Sequence, residues 1–266
     1  DLLENGGHST GYRVDQPQLI TQVVTALETL ADPQAYQEKY QLNDDNVMLY
    51  AMGDGNHSFA TAKAIWEQLK TDAAAGDNGL HSDEIMSHPA RYALVELVNI
   101  HDPGLEFEAI HRVLFSVDNA NLISDMENYF SQRNTPFSFT PFGNLDQAQQ
   151  HAASNDQQHS FACVLAGQFG LFRINTPEYT LAVATLQRFL DQYLANHHDT
   201  RIDYIHGSQS VTDLGSQPDC AGFYLPAISK HDLFKTIILD GALPRKTFSM
   251  GEADEKRFYL ECRRIK

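Results

Sequence analysis

The sequence predicts a mixed α+β fold, and three features predict it. Short apolar runs that suit buried strands alternate with stretches whose apolar residues recur at three- and four-residue steps, the spacing of a helix face. Between Val47 and Leu69 the two patterns meet. Val47–Met52 is mostly apolar, it stops at Gly53-Asp54-Gly55-Asn56-His57-Ser58, and Phe59, Ala62, Ile65, Trp66 and Leu69 then fall on one helical face. Residues 118 to about 175 are rich in Asp, Asn and Gln, which marks a smaller α+β insertion. The expected organisation is a core in two parts, residues 1–117 and 177–266, around an inserted subdomain at 118–176.

In chain order, Asn5–Tyr12 is a glycine-punctuated polar loop, either an anion cradle or a turn leading into a strand. Asp15 and Pro17 announce a helix with Leu19, Ile20, Val23, Val24, Leu27 and Leu30 on one side, expected to be core scaffolding. Asp32-Pro33 breaks it, a second helical piece runs through Tyr36 and Tyr40, and Asn43–Asn46 turns the chain into the strand Val47–Met52. Gly53 and Gly55 then permit positive φ around Asp54, and Asn56 is placed to cap the following helix. Residues 72–89 suggest a loop with a short helix or lid, and Arg91–Ile100 a second buried strand. After the turn at His101–Leu105, Phe107–Phe115 reads as a core strand interrupted by His111-Arg112.

Leu122–Phe130 reads as a helix, Phe137–Phe139 and Phe161–Leu165 as strands, and Gly167–Gly170 as a hairpin connection to Leu171–Ile174. The Gln-rich span Gln147–Gln158 is expected to be a solvated helix. Leu181–Leu194 is amphipathic and is closed by His197-His198-Asp199, which suits a C-terminal cap better than a metal site because three adjacent helical residues cannot face one ion. A strand at Asp203–Gly207, a helix at Ser208–Leu214, a strand at Gly222–Leu225 and a helix at Lys230–Leu239 follow. A turn then carries Arg245 and Lys246, and Arg257–Arg263 alternates enough to be an edge strand.

Composition narrows the function. With 19 basic against 35 acidic side chains the net charge is −16, which repels a nucleic-acid backbone and argues against a sequence-independent DNA or RNA grip. No run approaches the roughly 20 apolar residues of a membrane helix, so no membrane partner is expected and the chain reads as soluble. Cys163, Cys220 and Cys262 are odd in number and lack CxxC spacing, which suggests a reducing, cytoplasmic compartment and disfavours a zinc knuckle.

Four motifs occur in order: Asp54-Gly55-Asn56-His57, Ile110-His111-Arg112-Val113, Tyr204-Ile205-His206-Gly207 and Leu243-Pro244-Arg245-Lys246-Thr247-Phe248. In these the chain resembles the bacterial and archaeal domain of unknown function 1015 family, whose members usually carry a further N-terminal segment. That family's strand, turn and helix is similar to the phosphate-binding turn of the ParB/sulfiredoxin superfamily, which includes free-serine kinases. The resemblance implies a ParB/sulfiredoxin-like core in which Asp54 takes the acidic position, His57 contacts phosphate, and Ser58 stands where arginine is usual. The missing guanidinium removes a bidentate phosphate contact, so Arg112, Lys63, Arg245 or Lys246 would have to replace it. Asn56 keeps hydrogen bonding where the family has histidine, but does not titrate.

On this reading the leading expectation is nucleotide-dependent phosphotransfer to a small hydroxylated metabolite, such as a serine-like amino acid. ATP or ADP with magnesium would be the cofactor. Asp54 would bind magnesium or orient the attacking hydroxyl, and His57 with Gly55, Asn56, Ser58 and the helix N–H groups would hold phosphate. Arg112 and Lys246 would neutralise charge on the transferred group, while His111 and His206 would orient substrate or move protons. A second expectation is a non-catalytic sensor or interaction protein for an anionic small molecule, which Ser58 favours. A third is a metal-dependent hydrolase built from Asp54, His57, His111 and His206, although their spacing matches no metal motif. The residues do not fix an oligomeric state.

Overall fold

The computed structural model describes residues 7–8, 10–43, 46–76, 84–152, 155 and 157–251. The chain divides into two compact units, Asp1–Asn99 with Glu255–Lys266, and Ile100–Asp254. The expected edge strand Arg257–Arg263, and parts of the opening loop, of the turn before Val47 and of the 72–89 loop, lie outside the described residues.

The first unit is helical in its described part. Helices α1 (Pro17–Leu30), α2 (Pro33–Tyr40) and α3 (Asn56–Ala75) are followed by single 3₁₀ turns at Ile85–Ser87 and Pro89–Arg91. Asp32 starts α2 as foreseen, its Oδ1 accepting from the Ala35 N–H at 2.8 Å, and Tyr36 and Tyr40 are buried with ring centroids 4.8 Å apart. Three expectations are corrected here. Helix α1 forms, but none of its residues is buried, and Leu19, Ile20, Val23, Val24 and Leu30 are exposed rather than core. Residues 47–52 and 92–99 form no strand, and Tyr50, Met52, Leu94, Val95, Leu97 and Val98 are exposed. An apolar run specifies what a segment would bury; a strand also needs a neighbouring backbone to take its N–H and C=O groups.

The second unit is a seven-stranded sheet in which every pairing is antiparallel. Its strands are β1 (Phe107–Phe115), β2 (Phe137–Phe142), β3 (Gln158–Leu165), β4 (Gln168–Asn175), β5 (Arg201–His206), β6 (Cys220–Tyr224) and β7 (Phe248–Met250). Their order is β2-β4-β3-β6-β1-β5, with β7 pairing the start of β1. Helices α4 (Asn119–Ser131), α5 (Leu145–Gln150), α6 (Ala182–Asn196), α7 (Ser208–Gly215) and α8 (Leu233–Asp240) complete the unit. One sheet thus draws strands from all three expected segments: β1 from the first, β2–β4 from the second and β5–β7 from the third.

Both faces of this sheet are covered, which explains why its central strands are apolar at successive positions. Leu114, Phe161, Cys163, Phe172, Ile174, Ala221 and Phe223 face a core completed by Leu122 and Met126 of α4 and by Leu186 and Leu190 of α6. Val113, Ala162, Val164, Leu171 and Tyr224 face the opposite core, completed by Ala148 of α5 and Val211 of α7. The β3–β4 hairpin is closed by the pair Ala166-Gly167, both at positive φ (46° and 86°), the two-residue turn whose twist matches the strands. Gly170 lies inside β4, not in the connection. A Cβ there would stand 2.3 Å from Phe139 Cε2, so a larger residue would have to displace that ring. Among the described residues the Gln-rich span Gln147–Gln158 is helical only at its start, within α5, and its last residue opens β3.

Candidate functional site

The expected site residues fall in both units: Asp54, Gly55, Asn56, His57, Ser58 and Lys63 in the first, His111, Arg112, His206, Arg245 and Lys246 in the second. In the first unit, Gly55 caps α3 from a left-handed conformation (φ 76°), and Asn56 is the first helical residue rather than the cap. Asp54 Oδ1 accepts from the Gly55 N–H at 2.8 Å and closes the turn. Among the described residues no side chain caps the helix, so the N–H groups of its first turn point outward from a 20-residue helix. Asp54, Asn56, His57, Ser58 and Lys63 are all exposed.

In the second unit, β1 and β5 bring three expected residues, His111, Arg112 and His206, onto one antiparallel pair. Ile110 lies opposite His206, His111 opposite Ile205, and Arg112 opposite Tyr204. Because strand side chains alternate, His111 and Arg112 occupy opposite faces of the sheet and cannot act on one atom from the same side. Arg112 shares its face with Tyr204 and His206; His111 shares its face with Tyr224, whose ring it meets edge-on at 5.8 Å.

Arg112 is fully buried. Its Nε donates to Gln187 Oε1 at 2.9 Å, Nη1 to the Ile110 and His111 carbonyls at 2.7 and 3.4 Å, and Nη2 to the Arg245 carbonyl at 3.1 Å. Its guanidinium lies 4.6 Å from the centre of the Tyr204 ring. Burial, reinforced by the neighbouring Arg245 charge, pushes the Arg112 pKa down to about 10. Arg245 reaches outward from the same turn: its Nε donates to the Tyr204 hydroxyl and its Nη2 to Asp191 Oδ1 at 3.0 Å. Gln187 Nε2 donates to the same Asp191 oxygen at 2.8 Å, closing a ring of Arg112, Gln187, Asp191, Arg245 and Tyr204. The Pro244–Thr247 turn is held by Thr247 Oγ1 donating to the Pro244 carbonyl, and Lys246 is exposed within it at φ 55°.

His111 is held differently. The Leu225 N–H donates to its Nδ1 at 3.0 Å, so Nδ1 carries no proton and the neutral ring keeps its proton on Nε2. Burial, followed by the His206 and Arg112 charges, lowers its pKa to about 4. His111 is therefore a neutral imidazole at pH 7, suited to donating a hydrogen bond from Nε2 rather than to carrying charge. Among the described residues no group of three His, Cys, Asp or Glu side chains is arranged to hold a metal ion.

Gln187, Asp191 and Tyr204 were not foreseen as site residues. Gln187 and Asp191 are one helical turn apart in α6, and Gln187 sits among the core residues Val183, Leu186 and Leu190, a polar interruption that points to a buried partner. Strand alternation likewise places Tyr204 beside His206 on a shared face.

No curated protein matches the chain. A conserved hypothetical protein from Pyrococcus furiosus, of known structure, is similar to it at 12% identity with a TM-score of 0.44, over 59% of this chain and 61% of that one. The chain thus spans about three fifths of the length of that protein. A family model for a protein of unknown function, DUF1015, matches residues 1–193. With most of its length matched, the chain belongs to the DUF1015 family.

Proposed function

We propose that the chain binds the phosphate of a small anionic ligand at the Gly53–Ser58 turn and works in nucleotide-dependent phosphotransfer to a small hydroxylated metabolite, with a serine-like amino acid as the first substrate to try. The observation that carries the reading is the uncapped start of α3 behind a left-handed glycine. Its N–H groups at Asn56, His57 and Ser58 suit phosphate oxygens, and the helix dipole favours negative charge there. The turn fits a phosphate group. Asp54 spends Oδ1 on the Gly55 N–H and has Oδ2 left to meet magnesium or orient a hydroxyl. Magnesium-bound ATP or ADP would supply the phosphoryl group. On this reading the first unit has the ParB/sulfiredoxin-like character that the turn resembles.

A non-catalytic sensor of the same ligand class is the second reading. It is favoured by Ser58 in the arginine position together with the commitment of Arg112 to protein acceptors. The test is incubation of the chain with ATP or ADP, magnesium and a panel of amino acids and sugars, followed by mass analysis for a phosphorylated product. Product that disappears in Asp54→Asn supports phosphotransfer; nucleotide binding without product supports the sensor. Absence of nucleotide and phosphate binding at the turn sinks both.

A further inference from the structure

The second unit gathers two arginines around a single carboxylate. Two guanidinium groups, Arg112 and Arg245, face the Tyr204 ring at 4.6 and 5.8 Å. They share one carboxylate, that of Asp191, which bonds Arg245 directly and reaches Arg112 only through Gln187. Every acceptor that Arg112 itself meets is neutral: one side-chain amide and three backbone carbonyls. The charged and titratable groups that act on the pair are Tyr204 and Asp191, apart from each other. Lys246 adds an exposed ammonium one residue further along the same turn. Arg112 is fully buried, and a buried guanidinium without a carboxylate of its own is costly.

We propose that the Pro244–Thr247 turn, backed by Arg112, is a binding site for a small oxyanion, a phosphate or carboxylate group, and that Asp191 is its built-in competitor. Arg112 is the positioning residue. By donating to the Arg245 carbonyl it fixes the turn from behind and stays out of reach of the ligand. Arg245 is the contact residue, because its Nη2 is already used by a carboxylate at 3.0 Å and its side chain is more than half exposed. The Tyr204 hydroxyl, which accepts from Arg245 Nε, keeps the fork aimed at the position that the Asp191 oxygen now fills. An incoming oxyanion replaces that carboxylate on Nη2 and leaves Asp191 held by Gln187 Nε2. The site lies wholly in the second unit and is independent of phosphate binding at the Gly53–Ser58 turn.

The test is titration of the full chain with inorganic phosphate at low ionic strength, followed by NMR or calorimetry and repeated with succinate to separate phosphate from carboxylate ligands. Asp191→Asn removes the competitor and is expected to tighten binding about two- to fivefold, the value of an exposed ion pair. Arg245→Gln is expected to weaken it at least tenfold, the value of a charge-assisted contact, and Arg245→Lys to fall between. The Arg245 side chain is exposed, so these variants are expected to fold, and the Asp191→Asn arm reads independently of them. Equal affinity in wild type and Arg245→Gln overturns the proposal. So does binding that vanishes in Ser58→Asp but survives Arg245→Gln, since it then belongs to the helix turn. No phosphate or succinate binding by Asp191→Asn overturns it as well.

Discussion

Replacing His111 by glutamine should remove a specific part of the protein's acid sensitivity. In the folded state the His111 pKa is about 4, against 6.5 for the unperturbed side chain. As the pH falls through 6.5 the unfolded chain takes up a proton that the folded chain refuses, so the unfolded state binds more protons and stability declines with falling pH. The contribution is complete above about 6.5, is lost progressively down to about 4, and changes no further below that. The span corresponds to about 3 kcal/mol. The cause is visible in the structure: protonating Nδ1 would abolish the bond from the Leu225 N–H and place a charge in a site only 7% exposed, near Arg112. Glutamine can still accept from Leu225 but does not titrate, and acidic residues titrate alike in both proteins. The single tryptophan, Trp66, lies in the first unit, so the assay is native-state hydrogen exchange at β1 and β6 amides, corrected for intrinsic rates. Between pH 7 and pH 4 the wild type should lose about 3 kcal/mol more than His111→Gln. Equal losses would refute the buried, neutral imidazole.

Arg112→Met keeps most of the side-chain volume but orphans the Gln187 Oε1 and the Ile110 and Arg245 carbonyls. Relief of the buried charge offsets part of that cost, so the expected loss is about 3 kcal/mol by urea unfolding, and loss below about 1 kcal/mol would deny Arg112 its role as a strut. Gly215→Ala would set a Cβ 2.8 Å from the Gly222 nitrogen and 3.1 Å from its Cα, a clash with backbone that side-chain motion cannot relieve. It should destabilise α7 against β6 by about 2 kcal/mol despite alanine's better helix propensity, read by hydrogen exchange in α7.

Much of the local structure was legible because its causes are local. Asp32-Pro33 starts α2, the Gly53–Gly55 turn precedes α3, and the apolar spacing of Leu122–Phe130 and Leu181–Leu194 corresponds to α4 and α6. The β3–β4 hairpin was also foreseen, within a residue or two of its turn, since a tight connection needs positive φ and glycine supplies it. Less of the candidate site was legible. That His111 and Arg112 diverge follows from strand alternation alone, once Phe107–Phe115 is recognised as a strand.

The amino-acid sequence by itself determined the mixed α+β character, most helices, the glycine turn before α3 and the acidic charge. Only the tertiary structure decided which apolar runs became strands: Phe107–Phe115 lies between β5 and β6, whereas residues 47–52 and 92–99 form no strand. It alone brought Gln187 and Asp191 of α6 to Arg112 of β1 and committed the donors of that buried guanidinium to protein acceptors. Periodicity within one segment reports which side of that segment is apolar. Pairing between segments depends on backbone groups and side chains tens of residues apart, and that information is held by no single stretch of the chain.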